Sequence, residues 1–244
     1  MRSLPVRPAV RTSTLLVILF LAACGGGGGV GGDPVCYDAA PYTGAAATFG
    51  ARLATASCFP EAHAMPAELG QAAVRPDSVP GGLASCGACL ELSGPAGTRV
   101  ALVIEDCDGC GPTVDLDLDG ATFTAITGAE DGLVEIEARA VPCPVAGNLR
   151  WASSTATNPY FVQLYALDHR HPLDTVALRV AGAFVPLERT DTTSWRWTSS
   201  GGGETVEPPY TLRVTDVFGH VVEDTVDVAA NAVGTGTVQL PVCR

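Results

Sequence analysis

The chain contains no lysine, so all 14 of its basic residues are arginine, against 26 aspartates and glutamates. The formal net charge is −12 at pH 7. An acidic surface repels nucleic acid and other anionic polymers, which are held by clusters of basic side chains. We therefore expect no nucleic-acid partner, and neutral polysaccharide is the natural partner for a binding face.

Helix-length amphipathic patterns and familiar catalytic motifs are also scarce. Proline, glycine and short Val/Thr-rich runs are frequent instead, which indicates a mainly β fold. The chain has no Ser-His-Asp order, phosphate-binding loop or dinucleotide fingerprint, and we expect no cofactor and no metal ion. Its 244 residues allow one large domain or two small ones.

The apolar run near the N-terminus, Leu15–Leu21, is too short to span a bilayer and follows a segment with three arginines. It ends in Leu21-Ala-Ala-Cys24, which resembles a bacterial lipobox. On this interpretation residues 1–23 are a lipoprotein signal peptide, the Cys24 thiol carries lipid, and residues 24–35 are a glycine-rich tether. In the alternative, the signal is an ordinary secretory one and Cys24 is incidental.

Both alternatives predict export. The glycine after Cys24 suits the outer membrane of a Gram-negative cell, so we predict an outer-membrane or cell-surface lipoprotein, or otherwise a secreted protein. Removing residues 1–23 takes away three arginines and no acid, which leaves 11 arginines against 26 acidic residues and a formal charge of about −15. We expect a monomer that is attached to the outer membrane through its lipid anchor.

Eight further cysteines stand at positions 36, 58, 86, 89, 107, 110, 143 and 243. An even number of cysteines in an exported chain predicts four disulfides. A four-cysteine zinc site is the competing interpretation, because Cys86-x2-Cys89 precedes Cys107-x2-Cys110 by 17 residues. Export to an oxidising compartment favours the disulfides.

Composition divides the chain into residues 36–152, a polar linker at 153–157, and residues 158–244. The first unit contains seven of the eight cysteines and a short helix predicted at 121–127. Its predicted strands are 46–55, 72–74, 88–92, 99–105, 114–118 and 134–141. In the second unit, short strands recur at 161–167, 177–180, 184–187, 194–198, 210–216, 220–228 and 235–240. Seven strands in this length predict a β-sandwich.

An acidic segment near the middle of the chain contains the candidate functional carboxylates. Asp115, Asp117 and Asp119 alternate with Leu116 and Leu118. At the period of a strand, the leucines face a core and the three carboxylates face one open surface. The segment also begins like a calcium loop, but Ile126 stands where such a loop needs a bidentate glutamate.

Several motifs follow one another between about residue 36 and residue 240: Cys58-Phe-Pro, Cys86-Gly-Ala-Cys-Leu-Glu-Leu, Val103-Ile-Glu-Asp-Cys-Asp-Gly-Cys, Leu116-Asp-Leu, Val141-Pro-Cys-Pro, Gln163-Leu-Tyr-Ala-Leu-Asp-His-Arg-His-Pro and Arg213-Val-Thr-Asp-Val-Phe-Gly. Similar motifs occur in the same order in bacterial and fungal expansins. The chain therefore resembles this family over that range. The resemblance implies a six-stranded double-psi β-barrel followed by an immunoglobulin-like, carbohydrate-binding β-sandwich. Expansins loosen plant-type cell walls by disturbing contacts between polysaccharides, without detectable hydrolysis.

The resemblance also implies site residues in the barrel. Asp117 matches the aspartate required for loosening, and Asp106 matches a second acidic residue of the groove. The chain departs from the family at Pro41, where a threonine is usual, and at Asp108, where an aromatic residue is usual. Tyr42 and Thr43 are the candidate substitutes, and Asp115 and Asp119 flank the same surface. An unpaired Asp117 beside these carboxylates is expected to titrate high, since like charges disfavour ionisation.

In the sandwich, Tyr160 and Phe161 match the paired surface aromatics on which sugar rings stack. Adjacent residues of a regular strand point to opposite faces, so both rings are exposed only if the chain is irregular after Pro159. The third aromatic of the family's row corresponds to Thr192, for which Trp197 is the candidate replacement. Trp195 matches a core residue, and the histidines His169 and His171 are predicted to be packing residues.

The family further implies the disulfides Cys58–Cys86 and Cys89–Cys143, with Cys107–Cys110 as a local loop clamp. Cys36 and Cys243 remain by elimination and would join the two ends of the chain.

Three functions stay open. The first is non-covalent loosening of cellulose, xylan or a related β-glucan; pectin and peptidoglycan fit the acidic charge less well. The second is a glycosidase or lytic transglycosylase that uses Asp117 as the acid. An inverting hydrolase needs a second carboxylate roughly 6.5–9.5 Å away. Residues 39–60 contain no acid to supply it, whereas a lytic transglycosylase needs only one. The third is a surface binding module without loosening activity.

Overall fold

The computed structural model describes residues 36–37, 40–59, 65–76, 86–107, 109–190, 194–201 and 203–243. The signal peptide, the tether and Cys24 lie outside these ranges, as do Asp108 and Thr192. Within them, the chain forms no helix with the length and apolar character needed to cross a membrane.

Six strands close a barrel in the order β1-β5-β2-β4-β3-β6. They are β1 (Tyr42–Gly50), β2 (Gly70–Val74), β3 (Cys89–Gly94), β4 (Gly97–Asp106), β5 (Leu116–Asp119) and β6 (Val134–Val141). The pairs β1–β5 and β2–β4 are parallel, whereas the other pairs are antiparallel. Small and branched side chains fill the interior, among them Ala72, Val74, Leu90, Val103, Leu116 and Leu118.

One helix, α1 (Gly120–Thr127), follows β5 and buries Phe123 and Ile126 against the barrel. It begins after Asp119, which caps its N-terminus, and ends at Gly128 with φ of 76°. A left-handed residue at this position is the usual stop for a helix, and glycine adopts it without steric cost.

Within the described residues, nine further strands form two sheets. The four-stranded sheet has the order β10 (Ala183–Pro186), β9 (Leu173–Val180), β13 (Tyr210–Asp216), β14 (Val221–Val226). The five-stranded sheet has the order β11 (Glu188–Arg189), β12 (Ser194–Thr198), β8 (Phe161–Leu167), β7 (Arg150–Ser153), β15 (Val233–Thr235). Their inner faces share one core that includes Trp151, Trp195, Trp197 and Tyr210. The mainly β fold, a six-stranded barrel followed by a β-sandwich, is confirmed.

The sandwich begins earlier than the sequence predicts. Strand β7 (Arg150–Ser153) pairs with β8 and β15 and so belongs to the five-stranded sheet. The change from barrel to sandwich therefore falls before Arg150, and residues 153–157 connect two strands of the same sheet. The prediction from polar composition was wrong here, because the segment 153–157 is a loop within the sandwich and not the linker between the two units.

Barrel and sandwich share a buried cluster that includes Phe59 and Ile104 from the barrel side and Leu167 from β8. His169 is buried at this junction, and its ring lies so close to Gly87 that a side chain there would collide with it. Burial lowers the pKa of His169 to about 4, so the ring is neutral at physiological pH. The prediction that His169 and His171 pack inside the protein is confirmed.

All eight of these cysteines form disulfides, in the pairs Cys36–Cys243, Cys58–Cys86, Cys89–Cys143 and Cys107–Cys110. Each predicted pairing is therefore present, and the cysteines that a zinc site would need are used. The Cys36–Cys243 bond spans 207 residues and ties the segment before β1 to the segment after β15.

A hydrogen-bonded clasp surrounds this long-range disulfide. The Nε2 atom of His171 lies 2.8 Å from the Pro241 carbonyl oxygen, so this nitrogen carries the proton and donates. The Nδ1 atom then accepts from the Tyr37 hydroxyl at 2.9 Å. Phe218 packs edge-on against the Tyr37 ring. His171 thus joins both ends of the described chain.

Candidate functional site

The acidic groove is built on β5 and its two neighbours. Asp117 pairs with Ala47 of β1 and with Ala73 of β2, and Ala73 pairs in turn with Glu105 of β4. Residues paired across strands project from the same face of the sheet. Two alanines thus form a floor, with Asp117 between them and Glu105 at one side. Leu116 and Leu118 point into the barrel, as the alternation predicts.

Asp117 is half-buried, and its two oxygens have different surroundings. Its Oδ1 atom is buried and has no hydrogen-bond partner among the described residues. Its Oδ2 atom lies 3.7 Å from Cys110 Sγ. Burial raises the pKa of Asp117, because removal from water penalises the charged carboxylate. The pKa of Asp117 is therefore raised, as predicted, but the cause is desolvation and not repulsion by neighbouring carboxylates.

Asp115 is neutralised by its own partners. Its Oδ1 atom forms an ion pair with Arg75 Nη2 at 2.6 Å, and its Oδ2 atom accepts from the Ala45 N–H at 2.9 Å. Burial and the Asp115 carboxylate, which accepts a hydrogen bond from Tyr42, raise the pKa of the Tyr42 hydroxyl. Tyr42, Asp115 and Arg75 are thus one network at the rim of the groove. Sequence reasoning missed Arg75, because only the pairing of β2 with β5 brings it to Asp115.

Asp119 does not face the open surface, and its prediction as a polysaccharide contact is wrong. It is 3% exposed and accepts hydrogen bonds from the Thr122 N–H at 3.0 Å, the Thr122 hydroxyl at 2.8 Å and the Gln71 N–H at 2.6 Å. The carboxylate therefore caps α1 and fixes β2. The sequence could have predicted this role, because aspartate immediately before a helix is a strong N-cap.

We expect Asp119→Ala to destabilise the protein by about 2–4 kcal/mol, from a lost cap of about 1 kcal/mol and a buried N–H left without an acceptor. Urea unfolding measures the change. Asp131→Ala is the matched control, since Asp131 is exposed in the loop before β6 and its loss should stay within about 0.5 kcal/mol. Equal stability of the two variants would contradict the capping role.

The other predicted barrel residues lie at the ends of the groove strands. Asp106 ends β4, is partly buried, and pairs with Val74 of β2. Thr43 is exposed on the outer face of β1, opposite Glu137 of β6. An open depression of about 390 Å³ lies here, and Glu135 contributes to its wall. The alternation of glutamates with Ile136 and Ala138 in β6 could have identified this acidic face.

Tyr160 and Phe161 stand at a tight turn. The Phe161 N–H donates to the Asn158 carbonyl at 3.0 Å, and the Tyr160 N–H donates to the Asn158 side chain at 2.9 Å. Asparagine followed by proline favours this turn, because both residues are suited to its first two positions. Tyr160 is 51% exposed and Phe161 is partly exposed. The predicted irregularity after Pro159 is therefore present, and neither ring is fully buried.

The outer face of the five-stranded sheet continues from this turn. Phe161 pairs with Thr198, and Gln163 pairs with Arg196, which forms an ion pair with Glu188. The part of this face next to the turn is therefore polar.

Trp197 cannot supply a third exposed ring, and its prediction as a sugar contact is wrong. It is 6% exposed and lies in the sandwich core beside Trp195, which is confirmed as a core residue. The period of a strand explains both observations, because the alternation Trp195-Arg196-Trp197 places the two indoles inside and the arginine outside.

The barrel with an acidic groove and the sandwich with an aromatic turn together define an expansin-type architecture. Expansin-YoaJ of Bacillus subtilis is 27% identical over 143 residues, which are 59% of this chain and 59% of that protein. Expansin-like protein 2 of Dictyostelium discoideum is 24% identical over 145 residues, 57% of this chain and 35% of that protein. The matched part of the chain thus spans less than two thirds of the length of these curated relatives.

Two solved structures cover more of the chain. The apo expansin of Clavibacter michiganensis has a TM-score of 0.70 and 25% identity, with 83% of this chain and 100% of that chain covered. An asparagine-for-aspartate variant of that expansin, in complex with cellohexaose, has a TM-score of 0.70, 24% identity and the same coverage. No family model matches. The resemblance to microbial expansins and the double-psi barrel fold are confirmed by these relatives.

Proposed function

We propose that the protein binds cellulose or a related neutral β-glucan and loosens it by disrupting non-covalent contacts. The observation that carries the proposal is Asp117, a half-buried carboxyl of raised pKa on a floor of alanines. A raised pKa extends the pH range over which the carboxyl is neutral, and a neutral carboxyl donates a hydrogen bond to a glycan oxygen without carrying charge. The cellohexaose complex of the Clavibacter michiganensis expansin supports an oligosaccharide of this class.

The aromatic turn is the proposed binding platform on the sandwich. Tyr160 and Phe161 offer ring faces against which the apolar C–H surface of a glucan packs. The turn at Asn158 holds them before ligand arrives, so little conformational entropy is lost on binding. The acidic charge supports a neutral polymer over pectin, and Arg196 on the same face is already paired with Glu188.

We expect the double variant Tyr160→Ala/Phe161→Ala to lose binding to microcrystalline cellulose by at least about tenfold, since each ring contributes about 0.5–1.5 kcal/mol beyond its buried area. A pull-down with depletion isotherms measures it. Phe184→Ala is the matched control, because this partly exposed ring packs under Arg213 on the other sheet. Loss of binding in the control, or full binding by the double variant, would contradict the role of Tyr160 and Phe161 as the binding platform.

A hydrolytic alternative follows from one observation. Glu105 stands across Ala73 from Asp117, two strand spacings or about 10 Å apart at the backbone. That separation is close to the range of an inverting carboxylate pair. Soluble reducing ends released from amorphous cellulose, and absent with Glu105→Gln, would establish the enzyme. Creep without reducing ends would establish the non-hydrolytic function.

We also propose that the protein is exported and anchored to the outer membrane through lipid on Cys24. The lipobox-like Leu21-Ala-Ala-Cys24 and the four disulfides support export. The mass of the N-terminal peptide from cells tests the anchor, since an unmodified Cys24 would exclude it.

A further inference from the structure

The four disulfides differ in their access to solvent. Three of them are buried at both cysteines and span 28, 54 and 207 residues: Cys58–Cys86, Cys89–Cys143 and Cys36–Cys243. The fourth, Cys107–Cys110, spans three residues, and Cys110 is partly exposed. The Cys107–Cys110 pair is therefore the one of these four whose residues are most accessible to an external thiol.

The exposed pair stands against the groove. Cys107 directly follows β4, and its N–H donates to the Val74 carbonyl at 2.9 Å. Cys110 Sγ lies 3.7 Å from Asp117 Oδ2, and the other oxygen of Asp117 is buried without a partner among the described residues. A reducible sulfur and a carboxyl able to exchange a proton are thus in contact.

We propose that Cys107–Cys110 is a thiol–disulfide exchange site that takes external thiols as its substrate, with Asp117 as the proton-exchanging group. An external thiolate attacks Cys110 Sγ, the Cys107–Cys110 bond breaks, and Cys107 leaves as a thiolate that takes a proton from solvent. A second external thiolate then attacks the external sulfur of the mixed disulfide. The external disulfide leaves, and the Cys110 sulfur takes its proton from Asp117.

The electron balance of this reaction is simple. Two external thiols supply two electrons, and they leave as one external disulfide, while the protein gains two thiols. Opening the pair releases a loop of only two intervening residues, so little constraint is lost from the fold. The three long-range bonds remain closed and hold the structure during the reaction. The site does not depend on the proposed polysaccharide function, because it needs neither the aromatic turn nor a glycan.

Incubation of the folded protein with glutathione tests the proposal. After quenching with N-ethylmaleimide, peptide mapping is expected to find label at Cys107 and Cys110 at least tenfold sooner than at the six buried cysteines. The Cys107→Ser/Cys110→Ser variant should remain unlabelled under the same conditions. Simultaneous labelling of all four pairs, or earlier labelling of a buried pair, would overturn the proposal.

The role of Asp117 has its own test. Asp117→Asn keeps the shape of the side chain but removes its exchangeable proton, so we expect reduction by glutathione to slow at least threefold at constant pH. Asp131→Asn is the control, because Asp131 is exposed in the loop before β6. An unchanged rate in Asp117→Asn would show that Asp117 takes no part in the exchange.

Discussion

Replacing Asp117 by alanine is expected to abolish the creep of a cellulose-rich wall strip under load, while the protein stays folded. The substitution leaves the floor formed by Ala47 and Ala73 in place. It removes the carboxyl group that donates the proposed hydrogen bond to a glycan oxygen, whereas asparagine would keep a neutral donor there. Extension under constant force measures the loss, and Asp131→Ala should leave the extension unchanged.

The same substitution is expected to preserve or raise the stability of the protein, although it abolishes creep. Because burial raises the pKa of Asp117, its ionised form opposes folding at pH values above the ordinary range of aspartate. Alanine removes that opposition, so thermal unfolding of Asp117→Ala near neutral pH should occur at the same or a higher temperature. A lower unfolding temperature would mean that lost creep reflects lost structure.

The same carboxyl predicts a pH profile for the parent protein. A raised pKa means that the protonated fraction of Asp117 falls as the pH rises through that value, so creep should be greater in acid. Extension that is constant from about pH 4.5 to about pH 8 would contradict a role for the protonated carboxyl.

Replacing both Cys36 and Cys243 by serine is expected to lower the free energy of unfolding by about 3–5 kcal/mol. The bond closes a loop across 207 residues, and long loops give the largest constraint on the unfolded chain. The clasp between Tyr37, His171 and Pro241 would then hold the two ends by hydrogen bonds alone. Urea unfolding in the absence of reductant measures the change.

The matched control is Cys107→Ser/Cys110→Ser, which removes a disulfide of three-residue separation. Its expected cost is about 2 kcal/mol or less, because a short loop is little constrained by its bond. Equal destabilisation of the two double variants would contradict the dependence on loop length and would locate the effect in local packing instead.

Much of the fold was readable from local patterns. Leu116 and Leu118 alternate with polar residues and lie in the barrel core, as predicted. The segment Trp195-Arg196-Trp197 carries the same alternation, and the error at Trp197 came from setting that pattern aside. Asp119 was likewise readable as a helix cap, because the capping residue and the helix are adjacent in sequence.

The rest of the site depends on contacts between distant segments. Arg75 meets Asp115 through the register of β2 and β5, and Glu105 joins the row of Asp117 because a bulge in the β2–β4 pairing shifts the register. A bulge reverses which side of the sheet the following residues face, and nothing in the local sequence announces it. The four residues of β7 were too short a signal to separate from the loop that follows.

The bond between Cys36 and Cys243 also determines how the protein carries tension. A pull on the chain ahead of Cys36 that is resisted at the sandwich passes through a sulfur–sulfur bond directly to the segment after β15. Without this bond, the same force would peel β1 from β5 and β6 one hydrogen bond at a time. The force therefore bypasses the barrel through the disulfide, and the groove around Asp117 keeps its shape under load.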